Sequence, residues 1–244
     1  MFKETIPGVF QSELLSQQKI LHGFSNRLIG DMRMVEPRHK LKELLGLSSY
    51  RLVAAEQVHG DSVHTVTEND LGKTVSGVDG LVYSREKVNA NVALGIIAAD
   101  CVPLLLVDTR AKVIGAAHAG WKGTLSRITT NTIDEMKKLG ANASDIVASI
   151  GPHIGMCHYN VPTERARRFQ EAFNYDQKAV TFFDNRWHVD IGWANYLQLI
   201  AAGIPPEHID APPTCTACQI DNFFSFRRDT AETYGEIMGV IGFI

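Results

Sequence analysis

Several things are scarce in these 244 residues, and each scarcity removes a class of function. Cysteine occurs only at 101, 157, 215 and 218, too few and too scattered for a disulfide-stapled scaffold, so a reduced, cytoplasmic setting is expected. Positive charge is not in surplus: 24 Lys and Arg against 27 Asp and Glu leave a net charge of -3. That balance gives no electrostatic footprint for nucleic acid or for an anionic membrane. The longest apolar tract is broken by Asp100 and Pro103 and falls short of the roughly 20 residues that a bilayer span needs. The opening MFKETIPGVFQSELL carries Lys3 and Glu4 and no apolar leader core. No GxGxxG follows a strand and no P-loop signature occurs, so neither a dinucleotide fold nor a phosphate-cradling loop is indicated.

What is present is concentrated in residues 91–138, where two apolar runs rich in β-branched residues are joined by a short polar DTR turn and followed by an amphipathic helix. Asp100 and Cys101 interrupt the first run, and His118 lies near the end of the second, in HAGWKG. Burying such groups without partners costs several kcal/mol, on the order of what one core side chain contributes, so partners are expected. Around this stretch the sequence predicts short strands over 8–25, a short helix over 41–47, strands on either side of His59-Gly60-Asp61, and a strand at LVYS. Leu125, Ile128, Thr132, Met136 and Leu139 recur three or four apart, which predicts one helix stopped by Gly140. A strand at DIVASIG, a helix over 163–173 with Thr163 as N-cap, a strand near 178–183, a helix over 193–202 and a strand over 219–226 follow. Strands outnumber helices and do not alternate with them strictly, so the fold class is α+β, with layered mixed β-sheets covered by helices. No composition shift marks a linker and no repeat is visible, so residues 1–244 read as one domain.

His59, Cys101 and His118 are two imidazoles and a thiol with room for a fourth ligand, the donor types and count of a catalytic zinc site. Their separations, 59 to 101 and 101 to 118, are unlike a zinc finger, and a buried free cysteine with two hydrogen-bonded histidines is the plain alternative. Asp100 points away from Cys101 if the segment is extended; it is a candidate general base, a brace for a ligand, or a turn cap. Asp79 is the other candidate proton carrier. The CxxC of Cys215 and Cys218 lacks the second pair of a zinc ribbon and the helix of a thioredoxin site, so a structural turn is the favoured reading. Arg27, Lys122 and Arg227 are candidate anion-binding residues, and Phe223, Phe224 and Trp121 are candidate stacking surfaces; Phe223, Phe224 and Phe226 with Arg227 and Arg228 form a candidate aromatic wall and anion clamp, with aromatic core as the default for the phenylalanines.

QVHG, VDGLV, AADCVPLLL, AAHAGWKGTL, SIGPHIG, and CTAC followed by FFSFRRD occur in this order and resemble the YfiH family, also called the laccase-domain or polyphenol oxidase family. The resemblance spans nearly the whole chain. It implies a layered fold related to toxin-type cysteine deamidases and a zinc bound by His59, Cys101 and His118. It also implies phosphorolysis of adenosine, inosine and methylthioadenosine, together with adenosine deamination. Copper-linked oxidation of phenols and editing of peptidoglycan precursors are further activities ascribed to such proteins. The chain departs from the family pattern in LIGD, where a Gly-Gly pair is usual, at His158-Tyr159-Asn160, where CYE is usual, and at Thr233-Tyr234-Gly235-Glu236, where a TGR motif is common. These departures bear on substrate preference and anion binding.

The expected function is therefore a zinc purine nucleoside enzyme with Asp100, Cys101 and His118 in catalytic positions. Arg27, Lys122, Phe224 and Arg227 would contact a purine nucleoside and phosphate. Three rivals remain: a metal-free cysteine hydrolase with Cys101 as nucleophile, a copper-dependent polyphenol oxidase, and a non-catalytic binding module. Neither nucleic acid nor a membrane is an expected partner, and monomer and homodimer are both left open.

Overall fold

A computed structural model describes residues 2–211 and 214–244. Among them the strands are, in chain order, β1 (Phe2–Ile6), β2 (Val9–Ser12), β3 (Ile20–Ser25), β4 (Arg51–Glu56), β5 (Val63–Thr65), β6 (Thr74–Ser76), β7 (Gly80–Ser84) and β8 (Val92–Ala98). The second half adds β9 (Val102–Asp108), β10 (Val113–Ala119), β11 (Val147–Ile150), β12 (Asn160–Val161), β13 (Val180–Phe183), β14 (Arg186–Val189), β15 (Ile209–Asp210) and β16 (Ile237–Phe243). The α-helices are α1 (Glu13–Gln17), α2 (Val35–Leu44), α3 (Trp121–Leu125), α4 (Ile128–Lys138), α5 (Thr163–Ala172) and α6 (Ile191–Ala201).

The chain is a mixed α/β protein, with three sheets among the described residues. A seven-stranded sheet runs β1-β2-β3-β16-β8-β4-β6, a six-stranded sheet runs β15-β11-β9-β10-β7-β5, and a small sheet runs β12-β14-β13. The two large sheets pack face to face, and the period-2 alternation of the central strands shows why. Leu105 and Val107 of β9, Ile114 and Ala116 of β10, and Leu94 and Ile96 of β8 fill the space between the sheets. Their neighbours Leu104, Leu106, Val113 and Ala117 point the other way, under α4 and α6. Ala93 of β8 faces the layer formed with Leu41 of α2. Strands buried on both faces account for apolar runs that do not alternate with polar residues.

The run that the sequence presents as a single apolar strand is two strands in different sheets. β8 belongs to the large sheet and β9 to the second, and the chain changes sheets at Ala99-Asp100-Cys101, where Asp100 takes a left-handed φ of 79°. The expected single helix with Leu125 on its apolar face is also divided. Arg127, at φ 69°, breaks it into α3 and α4, although Gly140 does supply the left-handed stop at φ 99°. Pro162 rather than Thr163 is the N-cap of α5. The stretch 219–226, expected as a strand, is a series of turns. β13 and β14 form a tight hairpin through Asp184 and Asn185, whose φ of 47° and 58° suit the twist of a two-residue turn. No helix among the described residues is long and apolar enough to cross a membrane.

Candidate metal centre and cavity

Three segments distant in sequence end at one edge of the two-sheet sandwich. β4 runs out at Glu56, and the QVHG that follows brings in His59, itself left-handed at φ 59°. The sheet crossover supplies Cys101, and the end of β10 supplies His118. The donor atoms of His59, Cys101 and His118 all lie within 4.8 Å of one another. The imidazole rings meet edge to face, with centroids 4.8 Å apart. Gly120 keeps this space open, because a Cβ there would lie 3.0 Å from the Cys101 Sγ and 3.2 Å from the His59 Cδ2.

Asp79, fully buried, holds the arrangement from behind. The His118 Nδ1 donates to its Oδ1 at 2.8 Å, which leaves the other ring nitrogen for the cluster. The backbone N–H groups of Val58, His59 and Gly60 donate to the same carboxylate at 3.2, 3.0 and 2.7 Å. Asp79 thereby fixes the ring of one histidine and the backbone of the other. Burial works against its charge, but the His118 and backbone hydrogen bonds prevail and hold its carboxyl below the ordinary range. Burial likewise opposes charge on Cys101 and His118, yet each favours the charged form of the other. The Cys101 thiol is brought down to about 7, and the His118 imidazole, with Asp79 behind it, is pushed up.

Asp100 is placed differently. Its Oδ1 accepts from the Thr216 hydroxyl at 2.6 Å, and its Oδ2 accepts from the Ser225 hydroxyl at 3.0 Å and the Arg227 backbone N–H at 2.7 Å. Both carboxylate oxygens are therefore tied to the C-terminal turns, while the left-handed backbone delivers Cys101 to the cluster. Positive φ at non-glycine residues beside a site is a form of strain that surrounding structure has to hold in place. Here the holding groups are Thr216, Ser225 and Arg227.

A cavity of about 630 Å³ opens over these residues. His59, Asp100, Cys101 and His118 line it. So do Trp121, Tyr159, Phe226 and Tyr234, which give it aromatic walls, and Arg165 and Arg227, which give it positive charge. The Arg165 guanidinium stacks 4.0 Å over the Trp121 ring and donates to the Tyr159 hydroxyl at 3.2 Å. The Arg227 Nη1 donates to the His158 and Asn160 carbonyls at 3.0 and 3.2 Å and to the Asn160 Oδ1 at 2.8 Å, so that this guanidinium is held in place. The Gln57 amide pairs with both backbone groups of Ile97, which fixes the wall next to β8.

Of the residues singled out in the sequence, His59, Asp100, Cys101, His118, Trp121, Phe226 and Arg227 meet at this cavity. Arg27, Lys122 and Phe224 are not in its wall. Arg27 lies 4.9 Å over the Phe224 ring and donates to the Ile220 carbonyl, while Lys122 is exposed on α3. Phe223 is fully buried against Phe10. Sequence proximity to HAGW suggested Lys122, but its side chain is exposed, with the ammonium 5.7 Å over the Trp121 ring and outside the cavity lining. Arg165, Tyr159 and Tyr234 are additions; Arg165 is one of the three arginines of TERARR on α5, and nothing in that pattern sets it apart from Arg167 and Arg168.

Two packed sheets, with a thiol and two imidazoles gathered at one edge under a cationic and aromatic cavity, define an enzyme-like α/β class. The chain belongs to the YfiH/laccase-like family: the profile described as multi-copper polyphenol oxidoreductase laccase matches residues 30–244. It is 37% identical over 226 residues to the purine nucleoside phosphorylase YlmD of Geobacillus stearothermophilus, covering 88% of this chain and 81% of that protein. It is 33% identical over 211 residues to adenosine deaminase RL5 of an unknown prokaryotic organism, covering 82% and 79%. In three dimensions it is similar to the crystal structure of the hypothetical protein YfiH of Bacillus licheniformis, with a TM-score of 0.87 at 28% identity, covering 100% of this chain and 99% of that one. The crystal structure of Geobacillus stearothermophilus YlmD gives 0.86 at 30% identity, covering 99% and 98%.

Proposed function

We propose that the protein is a zinc-dependent purine nucleoside phosphorylase, with adenosine deaminase activity at the same site. The observation that carries this reading is the convergence, in one cavity, of the His59-Cys101-His118 donors with the Arg165 and Arg227 guanidiniums and several aromatic faces. The names of the relatives support the reaction, and the residues support the parts it needs. A thiol that loses its proton readily and two imidazoles, one locked by a carboxylate, fit zinc, a borderline-soft cation held by sulfur and nitrogen. Held by His59, Cys101 and His118, a zinc ion would supply Lewis acidity to the cavity.

The chain's own residues do the remainder. Trp121, Tyr159 and the exposed rim residue Phe226 offer flat surfaces to a purine. Arg165 and Arg227 hold an anionic phosphate near the anomeric carbon and stabilise charge as the glycosidic bond loosens, mainly by positioning and electrostatics. Arg227 is thus the one anion-binding residue kept from the sequence reading, and Arg165 replaces Arg27 and Lys122. Asp100 serves as the brace that orients Cys101, since both its oxygens are occupied. Asp79 orients His118. Glu56 and Glu236, which line the cavity, are the carboxylates available to move a proton to or from the base.

The test is incubation of the purified, zinc-loaded chain with adenosine and phosphate, followed by chromatography of the products. Adenine with ribose 1-phosphate, and inosine from the deaminase branch, are expected. Neither product appearing would overturn the proposal. A Cys101→Ala variant that keeps its zinc but loses all turnover would instead favour a cysteine nucleophile.

A further inference from the structure

A second group of metal-binding side chains lies outside the cavity wall. The CxxC turn brings Cys215 and Cys218 against Cys157 and His158, residues nearly sixty positions earlier, and the donor atoms of these four all lie within 4.8 Å of one another. The His158 Nδ1 is 3.3 Å from the Cys157 Sγ, 3.4 Å from the Cys218 Sγ and 3.8 Å from the Cys215 Sγ. The Cys157 and Cys218 sulfurs are 3.5 Å apart. One nitrogen nearly equidistant from three sulfurs is the arrangement of a tetrahedron's corners. For zinc bonds of about 2.3 Å to sulfur and about 2.0 Å to nitrogen, the edges of that tetrahedron come to roughly 3.5–3.8 Å. No disulfide is formed among the four cysteines.

The backbone is shaped to the same end. His158 and Tyr159 donate their N–H groups to the Gly155 carbonyl at 3.0 and 3.1 Å, which curls Cys157 and His158 into a turn. The Gln219 N–H donates to the Cys215 carbonyl at 3.1 Å, which curls the CxxC. An isolated bridge between His153 and Cys215 holds the two turns together. Gly155 stands where they meet; a Cβ there would lie 3.1 Å from the Cys215 Cβ and 3.4 Å from the Cys157 Sγ. None of the four lines the cavity over the first group, and a cysteine-rich set of four donors matches a closed structural site rather than a catalytic one with an open position.

We propose that Cys157, His158, Cys215 and Cys218 bind a structural zinc ion that clamps the turn preceding β12 to the C-terminal turns. The clamp has a consequence for the cavity. The His158 carbonyl accepts from the Arg227 guanidinium, Tyr159 lines the cavity wall, and Thr216, inside the CxxC, braces Asp100. Joining the two turns therefore steadies the groups that hold Cys101 in place, without any of the four ligands meeting the substrate.

The experiment is zinc analysis of the full chain purified without chelator, combined with alkylation by iodoacetamide before and after chelation. Cys218→Ser and His158→Ala are expected to lose one zinc equivalent each, and always the same one. His59→Ala should lose a different equivalent, so that a failure of the cavity site leaves this outcome readable. Cys157 and Cys218 are exposed, so an alkylating reagent reaches both sulfurs once no metal holds them. Zinc protects them, and chelation should raise their alkylation rate roughly tenfold or more. Should Cys218→Ser fold poorly, the protection measured on the unaltered chain still decides the matter. Unchanged zinc content in both variants, rapid alkylation of the zinc-loaded chain, or a Cys157–Cys218 disulfide in the non-reduced protein would each overturn the proposal.

Discussion

The His59-Cys101-His118 group and the Cys157-His158-Cys215-Cys218 group use the same two side-chain types, yet their settings are opposite. The first has three donors, opens on a cavity and is backed by a buried carboxylate. The second has four donors and lies in turns with two of its three cysteines exposed, and among the described residues the His158 Nδ1 meets the Cys157, Cys215 and Cys218 sulfurs. Donor count sets whether a metal keeps a position for substrate, and the groups behind the donors set how strictly each ligand is aimed. A reactive site needs both an opening and aim, whereas a clamp needs only a closed set. The positive-φ residues divide in the same way: His59 belongs to the first group and Asp100 adjoins it, and none of the four residues of the second has a positive φ.

The comparison breaks most directly at His118. His118→Ala removes a donor that Asp79 has been positioned to orient, and nucleoside turnover should fall by more than the ~100-fold that loss of an outer carboxylate can cost. Protection of the four-donor cysteines from alkylation should be unaffected. Equal loss at both groups would mean that they do not function separately. Asp79→Asn is the next step down. It keeps the shape of the side chain but gives up the charge that favours the donated His118 proton, so metal affinity or activity at the cavity should fall about 10–100-fold. Zinc titration with a competing chelator measures this, and an unchanged affinity would remove Asp79 from the account.

Arg227 is the point where the two groups touch, since its backbone braces Asp100 while its side chain reaches His158 and Asn160. Arg227→Ala retains the backbone contact and deletes the guanidinium. The expected effect is a KM for phosphate raised about tenfold, the equivalent of roughly 1.4 kcal/mol, with a smaller change in kcat. A change confined to kcat would point to altered Cys101 geometry rather than to lost anion binding.

The first group was readable in the sequence and the second was not, and the reasons are physical. His118 and Cys101 interrupt runs that otherwise belong in a core, so their need for partners is visible in one dimension. Period-2 alternation failed to show that residues 92–108 cross from one sheet to the other, because β8 and β9 are each buried on both faces and read as one apolar tract. Only the left-handed turn at Asp100 reveals the change. The CxxC read as an isolated turn because its partners arrive from a loop about sixty residues away, held there by the His153–Cys215 bridge rather than by any periodic pattern. Arg165 escaped notice for a related reason: on a charged helix it is indistinguishable from solvated neighbours such as Arg167, until the fold stacks it on Trp121.

A fourth histidine, away from both groups, supplies the smallest effect and the control. The His64 Nε2 lies 2.9 Å from the Asp70 carboxylate, the same pairing as His118 with Asp79, but at a partly exposed position outside the cavity wall. The His64 hydrogen bond, against a smaller burial cost and with help from Thr67, draws the Asp70 carboxyl down to about 2 from an ordinary 3.8. A carboxyl depressed in the folded state contributes stability that is complete above its unfolded value and is lost as pH falls through the folded one. The contribution is therefore present at pH 7 and declines between about 4 and 2. Solvent screening keeps it below about 1 kcal/mol. Urea unfolding of Asp70→Asn beside the unaltered chain should show a small, constant deficit at neutral pH that closes toward pH 2, with nucleoside turnover untouched. A deficit as large as that of Asp79→Asn would mean that burial and the backbone donors, the features that set Asp79 apart, are not what give the cavity pair its strength.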